Sequence, residues 1–385
     1  MTRLANGARV VSEHLPGATT VALGIWLLGG SNDERDGEQG FAHLLEHLWF
    51  RQGYEFAARI AALGGRVNAH CGIEVSFLHA EVRPQDANAA LALLWQMLAL
   101  DDLTDTDIER ERRLIEREHA LDHDDPDSAI EHAACALAWR DRADAGVASM
   151  QSLPTADALQ RYARRVLCGA RIAAVAAGAI QHTTLIDGCA ALNQFPAGTP
   201  PAPRAWSFTP GSFRRSGGVS EARLLWIFEA CGARDPLHVV WACLDRLLNA
   251  RLGRGLRDET GLAYALHTRA DLFRLHGHWL LRMACAPGSA DRCCEQIERI
   301  LEDFAAHGAD ERELATVLAA QRVERELDGG NPRACLERLA HDTLISERLP
   351  ARRGSDLAAI VITPALLAAT FRAALPRVLR LRWLP

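Results

Sequence analysis

Two stretches of this chain are almost entirely apolar, Val21–Gly30 and Arg171–Ile180. Each falls well short of the roughly 20 residues that a membrane-spanning helix needs, so both are predicted to be buried strands. Around them the pattern changes between strand and helix periods. Strands are expected at Ala8–Ser12 and Thr19–Leu28, then a helix at Gly40–Phe50 and another at Glu55–Leu63. A strand pair near Arg66–Val82 follows, then a helix at Pro84–Leu100 and a charged helix from Asp105 to about Leu121. Further on, a strand at Ala222–Ala230 leads to a helix at Pro236–Arg251. Strands at Ala263–Ala270 and His276–Cys285 come next, then helices at Gly288–His307 and from Ala309 to about Leu327.

The second series repeats the first. TDTDIERERRLIERE, ending at Glu118, resembles ADERELATVLAAQRVERE, ending at Glu326. A repeated strand–helix unit of this size predicts an internally duplicated α+β protein. The segment PAGTPPAPRAWSFTPGS (196–212) is rich in proline and glycine, which interrupt helices and central strands. It sets expected domains at 1–195 and 213–385, joined by that linker.

Composition changes the picture only modestly. At 385 residues the chain is long enough for two domains. With 49% hydrophobic and 24% charged residues it reads as an ordinary globular protein, and a net charge of −6 gives no reason to expect nucleic acid as a partner. Ten cysteines are scattered without a C-x-x-C pair, Cys293 and Cys294 being adjacent. That is the usage of reduced thiols in a cytoplasmic protein, not of a disulfide framework. The N-terminal MTRLANGARVVSEHLPG has no apolar core of a signal peptide. No membrane association is expected.

The chemistry concentrates in FAHLLEHLWF, which sets His43, Glu46 and His47 in the order H-x-x-E-H. Residues four apart share one face of a helix, so both imidazoles can grip one ion. Glu46 can reach a water on that ion and act as general base. The order is the reverse of the H-E-x-x-H zinc helix, and neutral imidazole suits Zn²⁺. The apolar neighbours Leu44, Leu45, Leu48, Trp49 and Phe50 predict a buried helix, in which unpartnered His and Glu would be costly. Catalytic zinc takes a third protein ligand, and the charged helix offers Glu109, Glu111, Glu116 and Glu118. If Leu114 and Ile115 mark its buried stripe, Glu111 and Glu118 flank them on the same face and Glu116 is solvated. Glu118 is assigned to the metal, and Glu111 to orienting a ligand or the helix. Without the upstream motif, this helix reads equally well as a salt-bridged solvated one. His119 is expected to point away, and the acidic run Asp122–Asp127 to form a solvated turn.

H-x-x-E-H followed by E-x6-E resembles the pitrilysin/insulinase zinc peptidases, the inverzincins that include the mitochondrial processing peptidases. The resemblance covers nearly the whole chain. It implies two homologous α/β domains of the mitochondrial-processing-peptidase type, forming half of a clamshell, with one Zn²⁺ per chain and metalloendopeptidase activity. In LGGRVNAHCG, Asn68 and Ala69 match the edge strand that takes up substrate as an added β-strand; His70 stands where relatives often carry an aromatic residue. In LRDETGLAYAL, Arg257 and Tyr264 match an element that reaches the substrate carbonyl, where a cation and a phenol would stabilise an oxyanion.

The partners so implied are a peptide substrate and a homologous subunit, in a homodimer or a heterodimer that encloses a chamber. Heterodimers of this kind process precursor peptides, in pyrroloquinoline quinone and other modified-peptide pathways. A further alternative is a non-catalytic scaffold subunit, like the core proteins of respiratory complexes.

Overall fold

The computed structural model describes residues 1–50, 53–100, 102–139, 153–262, 266–347 and 360–385. Eleven strands form two sheets among these residues. The first contains β1 (Thr2–Arg3), β2 (Arg9–His14), β3 (Val21–Leu28), β4 (Arg66–Cys71), β5 (Val75–Val82) and β6 (Ile172–Gly178), in the order β1-β2-β6-β3-β5-β4. The second contains β7 (Gly211–Ser216), β8 (Ala222–Cys231), β9 (Leu266–Leu272), β10 (His276–Cys285) and β11 (Val378–Leu384), in the order β7-β11-β8-β10-β9.

From β2 onward the two orders correspond strand for strand, and β1 has no counterpart in the second sheet. β2 and β6 are parallel, as are β7 and β11. From there each sheet runs antiparallel, through β3, β5 and β4 in one and β8, β10 and β9 in the other. The expected α+β duplication is therefore present in topology. β3 and β6 are buried along their whole length, as their unbroken apolar runs require.

Twelve helices accompany the sheets among the described residues. In the first half they are α1 (Phe41–Trp49), α2 (Gly53–Ala62), α3 (Ala87–Met97), α4 (Asp105–Asp124), α5 (Pro126–Ala138), α6 (Ala156–Val166) and α7 (His182–Gly188). In the second they are α8 (His238–Gly253), α9 (Ala290–His307), α10 (Glu311–Gly330), α11 (Pro332–Leu344) and α12 (Pro364–Ala374). α4 runs three residues past the expected Leu121. The acidic run is not a turn: Asp125 alone separates α4 from α5, and its side chain caps α5 by accepting from the Ser128 amide at 2.9 Å.

The chain forms two compact units that interleave in sequence. One contains the first sheet and α1–α3, together with α4 up to His119, α6 and α7. It also takes α11, which packs on β6 and β3. The other contains the second sheet and takes α5, which packs on β8 and β11. The proline-rich segment is structured where it meets the turn that precedes β6: the Pro196 and Ala197 carbonyls accept from the Gly169 and Ala170 amides at 2.8 and 2.9 Å. Trp206 and Phe208 are buried. No described helix is long and apolar enough to cross a membrane, and all ten cysteines are free thiols.

Candidate metal centre

α1 is a short helix of nine residues. It opens at Gly40, whose φ of 87° is left-handed and so favours glycine. Gly40 has no side chain to cap the first turn. That task falls to Glu34, whose carboxylate accepts from the amides of Gly40 at 3.0 Å and Ala42 at 2.7 Å. Burial pushes Glu34 up to about 7, against the lowering effect of those two hydrogen bonds. The helix buries Phe41, Ala42, Leu44, Leu45, Leu48 and Trp49. The remaining stripe carries His43, Glu46 and His47, all partly buried.

α4 begins with a reciprocal cap. The Thr104 amide donates to Asp107, and the Asp107 amide donates to Thr104 Oγ1 at 3.2 Å. Its buried residues are Ile108, Glu111 and Ile115. The expected stripe through Leu114 is corrected, since Leu114 is 40% exposed. From Ile108 the buried positions step by three to Glu111 and then by four to Ile115, and Leu114 lies off that stripe. Glu109 and Glu116 face solvent and pair with Arg112. Glu111 is buried, with a side chain 8% exposed, but that of Glu118 is 53% exposed, so only one of the two carboxylates lies in the core.

The two helices bring three donor atoms together. His47 Nε2 lies 3.3 Å from Glu118 Oε2, and His43 Nε2 lies 3.6 Å from the same oxygen. All three ligand atoms fall within 4.8 Å of one another, the one such group among the described residues. Tetrahedral bonds of about 2.0–2.1 Å to zinc place neighbouring ligands ~3.4 Å apart. Two imidazoles and a carboxylate at these separations fit one divalent cation. Burial, reinforced by His47, lowers His43 to about 4, which keeps it in the neutral, ligating form. His47 presents its other nitrogen, Nδ1, to Glu111 Oε2 at 3.7 Å. Despite burial, that contact and the charges of Glu46 and Glu118 raise the His47 pKa. Glu46 Oε2 is 4.0 Å from His47 Nε2. Burial pushes Glu46 up to about 7, against the opposing charge of His47; this is the range in which a carboxylate serves as a base at neutral pH. His119, expected to point away, stacks on His43 with ring centres 5.8 Å apart.

Asn68 and Ala69 lie on β4, which pairs with β5 on one side and has no strand neighbour on its other edge among the described residues. Asn68 is exposed and Ala69 is in the core. His70, opposite Phe77, holds its ring centre 5.5 Å from that ring. Arg257 belongs to the other compact unit, in a wide helical turn after α8. It is 64% exposed and its Nε donates to Asp258 at 2.8 Å. Tyr264 lies outside the described residues.

The repeat lacks the two imidazoles. α8 buries Val240, Trp241, Cys243, Leu244, Leu247 and Leu248 with the spacing of the buried α1 residues. That register sets Ala242, Asp245 and Arg246 where α1 carries His43, Glu46 and His47. Asp245 instead accepts from Trp279 Nε1 at 2.8 Å. On α10 the cap formed by Asp310 and Glu313 corresponds to that of Thr104 and Asp107. The counterpart of Glu118 is thus Glu324, not the expected Glu326.

Residues 9–147 match the family described as insulinase (peptidase family M16), and residues 155–321 match the peptidase M16 inactive domain. An uncharacterized zinc protease of Mycobacterium tuberculosis is 30% identical over 347 residues, 83% of this chain and 78% of that protein. The probable mitochondrial-processing peptidase subunit beta of Arabidopsis thaliana is 30% identical over 196 residues, 49% of this chain and 37% of that protein. Among solved structures, a protease from Helicobacter pylori superposes with a TM-score of 0.90 at 15% identity, covering 100% of this chain and 98% of that one. The chain belongs to the insulinase family of peptidases, M16.

Proposed function

We propose that the chain is a zinc metalloendopeptidase acting on peptides or unfolded segments, with one zinc held by His43, His47 and Glu118. The observation that carries this reading is the convergence of those three donor atoms beside Glu46. When bound, the cation supplies Lewis acidity that eases ionisation of water and polarises the scissile carbonyl.

The protein's own groups do the rest. Glu46 takes the proton of the attacking water and returns it to the nitrogen of the leaving amine. Glu111 holds Nδ1 of His47 and so fixes the direction of Nε2. The open edge of β4, at Asn68 and Ala69, takes the substrate backbone as an added strand. Arg257 and Tyr264 share the charge of the oxyanion.

We place this peptidase in the cytoplasm, which suits ten unpaired cysteines, and in a dimer that encloses a chamber. The match to a mitochondrial-processing peptidase subunit favours a second form of this reading: the zinc-bearing subunit of a heterodimer that trims precursor peptides. A non-catalytic scaffold role is disfavoured by the intact set of ligands and base. The deciding experiment measures zinc content and cleavage of an unstructured peptide by the purified chain, alone and with its genomic neighbour's product. Zinc near one per chain with chelator-sensitive cleavage supports the proposal. A protein that takes up no zinc defeats it.

A further inference from the structure

α1 carries its first ligand at its third residue, inside the turn that is most prone to fray. The amides of a first turn have no partner within their own helix, and Gly40 offers no side chain to supply one. Glu34 fills this role from six positions upstream. One carboxylate oxygen takes the Gly40 amide and the other takes the Ala42 amide, next to His43. Glu34 is only 6% exposed.

The same segment is tied to the candidate substrate edge. The Ser31 and Asn32 amides donate to the carbonyls of Gly72 and Ile73, in the turn that ends β4, at 3.2 and 2.9 Å. The approach is close enough to require glycine at position 30, where a Cβ would lie 2.1 Å from the Gly72 oxygen. Arg171 holds Asp33 at 3.3 Å, and Arg165 grips both oxygens of Glu38 at 2.6 and 2.5 Å. The segment thus has several fixed points. Its Glu38 carbonyl accepts from the Phe41 amide at 2.9 Å, and the Glu34 side chain takes the amides on either side.

We infer that Glu34 is a positioning residue of the metal site, which holds the first turn of α1 so that His43 meets His47 and Glu118 at one point. The inference rests on reading His43 as a ligand. Loss of the Glu34 carboxylate releases the Gly40 and Ala42 amides and lets the turn that bears His43 loosen, whereas His47, a turn further on, keeps its hold on Glu111.

The test measures zinc affinity by competition with a chromophoric chelator, together with melting temperature. Glu34→Ala should raise the zinc Kd by about tenfold or more. Glu34→Gln, which keeps one good acceptor, should raise it less, and it carries the test if the alanine variant does not fold. Leu185→Ala, a buried α7 residue outside this network, should lower the melting temperature while leaving the zinc Kd unchanged. Glu34 variants that are folded and bind zinc like the unaltered protein overturn the inference, as does a Leu185 variant that weakens zinc equally. If the unaltered protein takes up no zinc, the functional reading fails first and takes this inference with it.

Discussion

Glu111 and His47 face one another across two helices, the carboxylate oxygen 3.7 Å from Nδ1 of a ring whose Nε2 is 3.3 Å from Glu118. One imidazole is thereby held at both nitrogens. Such a carboxylate fixes the ring's tautomer and direction and increases its basicity as a ligand, and its loss commonly costs ten- to a hundredfold in metal affinity. Glu111→Ala should therefore weaken zinc by about that factor, measured by chelator competition, while the protein stays folded. An unchanged affinity removes Glu111 from the site.

Glu46 lies beside the candidate ligands, its Oε2 4.0 Å from His47 Nε2. Glu46→Gln should keep zinc at the level of the unaltered protein in elemental analysis. Its turnover of a fluorogenic peptide should fall by about 10²–10⁴-fold, the usual contribution of a positioned base. Glu118→Gln should behave in the opposite way, losing metal first. Normal turnover by the Glu46 variant would reassign the base.

Metal removal should also register in stability. A ligand that binds only the folded state stabilises it by about 2.7 kcal/mol at a hundred times its Kd. The chelator-treated protein should thus melt at a higher temperature once zinc is restored. His43→Ala should lose most of that rise, and magnesium should not reproduce it, because two imidazoles and one carboxylate do not suit a cation that prefers oxygen ligands. A melting temperature indifferent to zinc in the unaltered protein would place the ion elsewhere or nowhere.

Much of this site was legible in the sequence, because its signals are local. H-x-x-E-H sits on one helix, and an apolar surround forces its polar stripe to find partners. The strands β3 and β6 announce themselves as unbroken apolar runs. Signals that depend on tertiary packing were not legible. Leu114 resembles a core residue by type, but the buried stripe passes beside it. The interleaving of α5 and α11 between the two units leaves no mark on either helix, since an amphipathic face does not state which sheet it covers. Glu34 looks like one more charge in an acidic loop, and its role as a cap appears only when the loop folds back on Gly40.

The second unit carries a partly buried ion network, which gives a prediction at low pH. Asp271 lies opposite His278 across β9 and β10, with 3.2 Å between Oδ2 and Nε2, and it also accepts from Arg269 Nε at 2.7 Å. Arg269 in turn grips Glu131 of α5. Burial alone would raise Asp271, but the hydrogen bonds and charges of His278 and Arg269 outweigh it and hold the carboxyl at about 2. A folded-state pKa below the unfolded value of about 3.9 means that the unfolded chain binds more protons between those limits. Stability from this group is therefore complete above about pH 4 and is lost as the pH falls toward 2, by an amount of order 2 kcal/mol. Asp271→Asn should lower stability at pH 7, and the gap between variant and unaltered protein should narrow as the pH falls through this window. Urea melts at pH 7, 5, 4 and 3 check this, and a gap that stays constant with pH would show that Asp271 does not titrate in the way its partners dictate.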